Sequence, residues 1–208
     1  MTKTFEASRP IMDLVGGPQA SGKSTLFPVS ERGNDWFNID EERKRLNGGA
    51  SQNIPSAVQR AATAAYEQFI VSHIGSRKSF SIEVTLAREV TFEQARRARE
   101  AGFKLSLTYL AAELPECVER MAARVEEGGH GVQVKVLKAT HAASVKNLRR
   151  AIQEFDYVEV FDNSRHAEVG TPAQSWEPRL VLQAEGGVIR FKAKKLPSWL
   201  RKALGGRG

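Results

Sequence analysis

Residues 11–25 read Ile11-Met12-Asp13-Leu14-Val15-Gly16-Gly17-Pro18-Gln19-Ala20-Ser21-Gly22-Lys23-Ser24-Thr25, and this stretch decides the fold. Ile11 to Val15 is short, apolar and followed by two glycines, the pattern of a buried central strand. Ser21 to Leu26 has the composition of a helix start, so the unit is strand, loop, helix. Within it Gly17, Gly22, Lys23 and Ser24 stand at the spacing of a phosphate-binding loop. Glycines let the backbone wrap close, so that N–H groups and the helix N-terminus point at phosphate oxygens. A lysine at position 23 reaches the β- and γ-phosphates of ATP or GTP, and the Ser24 hydroxyl ligates Mg²⁺. The expected nucleotide contacts are Gly17, Pro18, Gln19, Ala20, Ser21, Gly22, Lys23, Ser24 and Thr25.

Outward from this loop, Trp36-Phe37-Asn38-Ile39, Phe80 to Val84, Leu105 to Leu110 and Val158 to Phe161 read as further strands. Helical patterns at 56–75, 91–101, 115–126 and 134–154 separate them. That alternation predicts an α/β fold, with about five parallel strands and helices on both faces. The core is expected over about 8–165, within one domain spanning 1–208. A loop is expected at 166–177, and two alternating runs around Gly186-Gly187 predict a β-hairpin.

The chain has 208 residues, 41% of them apolar and 26% charged, enough for a sizeable core. A single cysteine, Cys117, excludes an internal disulfide. MTKTFEASRP carries no apolar stretch to act as a signal or span, so a cytoplasmic address is expected. The net charge of +7 comes from residues 190–208, where Arg190, Lys192, Lys194, Lys195, Arg201, Lys202 and Arg207 occur without an acid. With those seven set aside, 24 of the 31 basic residues face 24 acidic ones. Such a tail either touches an anionic surface or is a solvated helix packing Trp199 and Leu200. No aromatic-interleaved basic groove points to nucleic acid, and the four histidines lack zinc spacing.

Asp40 follows the second predicted strand, at the rim where open parallel sheets bind ligands. A carboxylate there can take the proton of an alcohol attacking the γ-phosphate, or it can cap a helix at 41–47. Glu83 and Thr85 end another strand on the same rim, as acceptor-binding groups or as a polar strand end. Arg120 and Arg124 lie one helical turn apart ahead of Gly128-Gly129, as solvated residues or as a phosphate-neutralising lid.

Together these residues resemble the zeta-toxin-like P-loop kinases. The matching segments are Gly16 to Thr25, Phe37-Asn38-Ile39-Asp40-Glu41, Ser79 to Leu86, Arg120 through Val132 with Arg124-Val125-Glu126-Glu127-Gly128-Gly129-His130, and Asp162-Asn163-Ser164. The resemblance implies a UDP-N-acetylglucosamine kinase using Mg·ATP, with an antitoxin as a possible partner. It implies Asp40 as general base, Glu83 and Thr85 as acceptor-binding residues and Arg124 as the lid arginine. This chain departs from the pattern at Val84, where relatives carry a hydroxyl residue, and after Gly-Gly-His, where an arginine cluster gives way to Val136-Leu137-Lys138-Ala139-Thr140-His141. Lys138 is the nearest remaining cation there and is expected to assist catalysis. Two other readings share the loop: a nucleotide-dependent regulatory module, and a polynucleotide kinase.

Overall fold

The computed structural model describes residues 9–164 and 177–205. The loop expected at 166–177 lies almost wholly outside the described residues. Seven strands form one sheet in the order β2-β3-β1-β4-β5-β6-β7. These are β1 (Ile11–Gly16), β2 (Asp35–Phe37), β3 (Phe80–Val84), β4 (Lys104–Ala111), β5 (Tyr157–Asp162), β6 (Arg179–Glu185) and β7 (Val188–Lys192). The first five run parallel, and β6 and β7 add an antiparallel hairpin. The helices are α1 (Lys23–Leu26), α2 (Ile39–Leu46), α3 (Ser56–Ser76), α4 (Glu89–Glu100), α5 (Leu114–Glu126), α6 (Val134–Glu154) and α7 (Ser198–Ala203).

Parallel crossovers are right-handed, so the direction of travel across the sheet sets the face each connection takes. From β1 to β2 the chain moves one way; from β2 to β3, β3 to β4 and β4 to β5 it moves the other. Among the described residues, α1 and the 3₁₀ turn Val29–Glu31 therefore take the first face and the connections from β2 onward the second. The second face carries Met12, Leu14, Phe80, Ile82, Leu105, Leu107, Tyr109, Val158 and Val160, packed against α3, α4, α6 and α7 in one core. Period-two alternation sends Asp13, Ser81 and Thr108 to the first face. There Arg32 donates through Nε to Asp13 Oδ2 (2.7 Å) and through Nη2 to Thr108 Oγ1 (2.8 Å), so the buried carboxylate is paired.

Two boundaries differ from the sequence expectation, and the structure sets a third, the end of α1, for which the sequence reading gives no bound. The second strand ends at Phe37 rather than Ile39, because Asn38 turns the chain into α2 and accepts from the N–H groups of Asp40 and Glu41. Asp40 is thus inside the helix, and the cap is Asn38. Helix α1 stops after four residues at Phe27, since the residue before a proline is pushed out of the helical region. The core does not end near 165: Val181, Leu182, Ala184, Trp199, Leu200 and Ala203 all belong to it. Of the basic run, Arg201 and Lys202 lie on the solvated side of a docked helix, exposed beside buried Trp199 and Leu200, while Arg190 and Lys192 lie exposed on β7. The hairpin turns where expected, with positive φ at both Gly186 and Gly187. Among the described residues no helix is long and apolar enough to cross a membrane.

Candidate functional site

The loop between β1 and α1 requires its glycines. At Gly17, with φ of 143°, a Cβ would stand 1.9 Å from the Leu110 carbonyl oxygen. Gly22, with φ of 98°, begins α1 and lies against Asn163, whose Nδ2 donates to the Ser21 carbonyl at 2.8 Å. Positive φ at Ala20 continues the winding that turns backbone N–H groups inward. Ser21 Oγ and Gln19 Oε1 are buried without a hydrogen-bond partner. Orphaned polar atoms inside a glycine-built cradle are what a phosphate ligand would satisfy.

Lys23 is 6% exposed, and its Nζ donates to the Pro18 carbonyl at 2.9 Å. Burial pushes its amine below the ordinary value of 10.5, opposed by the charges of Glu83 and Asp40, while Arg124 adds to the lowering. Lys23, Glu83, Asp40 and Arg124 therefore share one electrostatic environment. Register pairs Val15 with Glu83, which places that carboxylate at the end of β3 beside the loop. Glu83 Oε1 lies 3.8 Å from Lys23 Nζ, and Oε2 accepts from Ser24 Oγ at 2.7 Å and from Asn38 Nδ2 at 3.2 Å. A serine hydroxyl and a carboxylate oxygen in contact are hard donors that fit Mg²⁺. Among the described residues no group of three or more acidic, histidine or cysteine side chains forms a metal cage. Mg²⁺ suits such a partial set, since it completes its shell with water and phosphate oxygens.

Asp40 sits in the first turn of α2, where Oδ1 accepts from Arg43 Nη1 at 2.8 Å. Thr85 directly follows β3 and is partly buried. Arg124, in the last turn of α5, is exposed, and its carbonyl accepts from Gly129 N–H at 2.8 Å. A Cβ at Gly129 would stand 2.7 Å from Arg124 Cγ, so a glycine is needed for the loop to fold back over that side chain. Gln52 Nε2 donates to the Gly129 carbonyl, tying the α2–α3 connection to the same loop. Arg120 takes a different part: its Nη2 bonds Glu116 Oε2 (3.1 Å) and the Asn163 carbonyl (2.7 Å), joining α5 to the residue that braces Ser21. It is a brace, where the spacing alone allowed a lid role.

Lys138 is exposed on α6, and it is not among the charges that act on Lys23. Beyond it, Thr140 Oγ1 bonds back to the Val136 carbonyl, and His141 is buried with Nε2 against the Ala112 carbonyl. Residues that the sequence reading missed are Asn38, Arg43 and Asn163 in its bracing role. A cavity of about 390 Å³ lined by Asp13, Arg32, Lys104 and Tyr157 lies on the first sheet face, away from Lys23. Its Arg32 is paired with Asp13 and its Lys104 lies against Tyr157, so the chemistry favours the phosphate loop as the site.

A family model described as Zeta toxin matches residues 1–170. The chain belongs to the zeta-toxin family. No curated protein matches it by sequence. Among solved structures, AvrRxo1-ORF1 in its complex with AvrRxo1-ORF2 and ATP is 18% identical, with a TM-score of 0.62 over 87% of this chain and 60% of that one. A chain of the PezAT toxin–antitoxin system of Streptococcus pneumoniae is 18% identical, with a TM-score of 0.59 over 76% and 69%. A chain of the Pnkp1/Rnl/Hen1 RNA repair complex is 19% identical, with a TM-score of 0.54 over 72% and 49%. These likenesses establish the P-loop kinase fold. The zeta-toxin chain described here spans about 60% of the length of its AvrRxo1-ORF1 relative.

Proposed function

We propose that this zeta-toxin family member is an ATP-dependent phosphotransferase acting on a hydroxyl of UDP-N-acetylglucosamine or a related nucleotide-containing acceptor. The observation that carries this reading is the convergence of Lys23, Ser24, Glu83 and Asp40 on one side of a glycine-built phosphate cradle. In this reading the loop from Gly17 to Thr25 holds the triphosphate, and its N–H groups satisfy the phosphate oxygens. Lys23 exchanges the Pro18 carbonyl for the β- and γ-phosphates. Ser24 and Glu83 would hold Mg²⁺, which would supply charge neutralisation to the nucleotide. An Asp40 oxygen takes the acceptor proton as the acceptor oxygen bonds to the γ-phosphorus and the bond to ADP breaks. Arg43, paired to Oδ1, leaves the other oxygen free to do so. Thr85 contacts the acceptor, and Arg124 neutralises charge on the moving phosphoryl group.

An antitoxin partner that blocks the site belongs to this reading, because the PezAT relative comes from a toxin–antitoxin system. The test is acceptor-dependent ADP release in Mg·ATP with nucleotide sugars, nucleosides, NAD and short RNA offered separately. Release that no acceptor raises would contradict the proposal, and a response to RNA alone would redirect it to a polynucleotide acceptor.

A further inference from the structure

One side chain touches both halves of this site. Asn38 is 7% exposed and stands between the end of β2 and the start of α2. Its Oδ1 accepts from the N–H groups of Asp40 (2.9 Å) and Glu41 (3.4 Å), and its Nδ2 donates to Glu83 Oε2 (3.2 Å). The orientation of the amide is forced: backbone N–H groups only donate, and an ionised carboxylate only accepts. We propose that Asn38 is a positioning residue that fixes Asp40 relative to Glu83 and the Ser24 hydroxyl, one end of its amide engaging each. The inference rests on the phosphotransfer reading for its kinetic consequence, and on geometry alone for the coupling itself.

The chemistry requires this residue type. Aspartate would cap α2 equally well but offers no donor to Glu83 and sets a second negative charge against it. Serine would keep the cap, but its shorter stem and single oxygen cannot also span to β3. Removing the donor frees α2, and with it Asp40, to shift relative to the phosphate loop. Misplacement on the order of an ångström costs transfer rate without removing any catalytic group.

Two measurements test this. In transfer kinetics, Asn38→Asp and Asn38→Ser should each lower kcat by about tenfold to a hundredfold, with ATP affinity within about threefold of wild type; the melting temperature should fall for Asn38→Asp, which adds a buried like charge, and stay nearly unchanged for Asn38→Ser, which keeps the cap. The double variant Asn38→Asp with Glu83→Gln restores a bridge of reversed polarity, so its kcat should exceed the product of the single effects by about tenfold. The second measurement needs no turnover. Glu83→Ala should speed amide hydrogen exchange at Asp40 and Glu41 by about tenfold, although Glu83 bonds neither amide. Exchange unchanged in Glu83→Ala, or full kcat in both Asn38 variants, would overturn the positioning role and leave the phosphotransfer proposal intact. Coupled exchange in a protein that phosphorylates no acceptor would instead uphold the coupling and remove the phosphotransfer proposal.

Discussion

The Ser24 hydroxyl donates to Glu83 Oε2 across 2.7 Å, so the residue that the loop spacing assigns to Mg²⁺ is paired with a carboxylate from the neighbouring strand. In the proposed reading that pairing puts Glu83 on the metal side, in addition to the acceptor-binding role implied by the family. Glu83→Gln should raise the Mg²⁺ concentration for half-maximal turnover by about tenfold, because a charged oxygen donor is lost beside the ion. A rise in acceptor KM with unchanged Mg²⁺ dependence would return Glu83 to acceptor binding alone.

Lys23→Ala should lower transfer by about a hundredfold or more, because a fixed buried cation leaves the point where charge moves in the transition state. The check is single-turnover transfer at saturating Mg·ATP. Near-normal turnover would remove the role given to the loop.

Arg124 and Lys138 should separate clearly. Arg124 acts on the same electrostatic environment as Lys23, whereas Lys138 is exposed on α6. Arg124→Ala is expected to cost about a hundredfold in kcat and Lys138→Ala no more than about tenfold, the latter fading with added salt. Equal losses would mean that α6 moves over the phosphates when nucleotide binds.

Deletion of residues 196–208 should abolish soluble folded protein. Trp199 is 2% exposed and its Nε1 donates to Asp162 Oδ1, while Ser198 bonds the Glu113 carboxylate. Trp199→Ala alone should cost about 3–5 kcal/mol, a large share of the stability of a single domain. Urea unfolding measures it, and a loss below about 1 kcal/mol would show that α7 is dispensable to the core.

The phosphate loop and the hairpin were legible because glycine positions and strand alternation are local signals. The five parallel strands followed from their alternation with helices. Asn38 was not legible: Trp36-Phe37-Asn38-Ile39 has strand composition, and only the contacts to Asp40 N–H and Glu41 N–H show that the chain turns there. The packing of Trp199 and Leu200 was legible as one of two readings of the tail, because a six-residue helix among lysines and arginines shows too little of its buried face to decide between them. Arg120 and Arg124 share a helix face by spacing, yet the Asn163 carbonyl that binds Arg120 comes from a segment 43 residues away. Side chains that brace the site are thus set by tertiary contacts which no local pattern records.

The most direct test of phosphoryl transfer with Asp40 as base is the mass of the acceptor after incubation with Mg·ATP, using wild type and Asp40→Asn side by side. Wild type should add one phosphoryl group to a nucleotide-containing acceptor, and Asp40→Asn should lower that rate by about a hundredfold or more, with ATP affinity and melting temperature retained. An acceptor modified equally fast by both proteins, or by neither, would contradict the account.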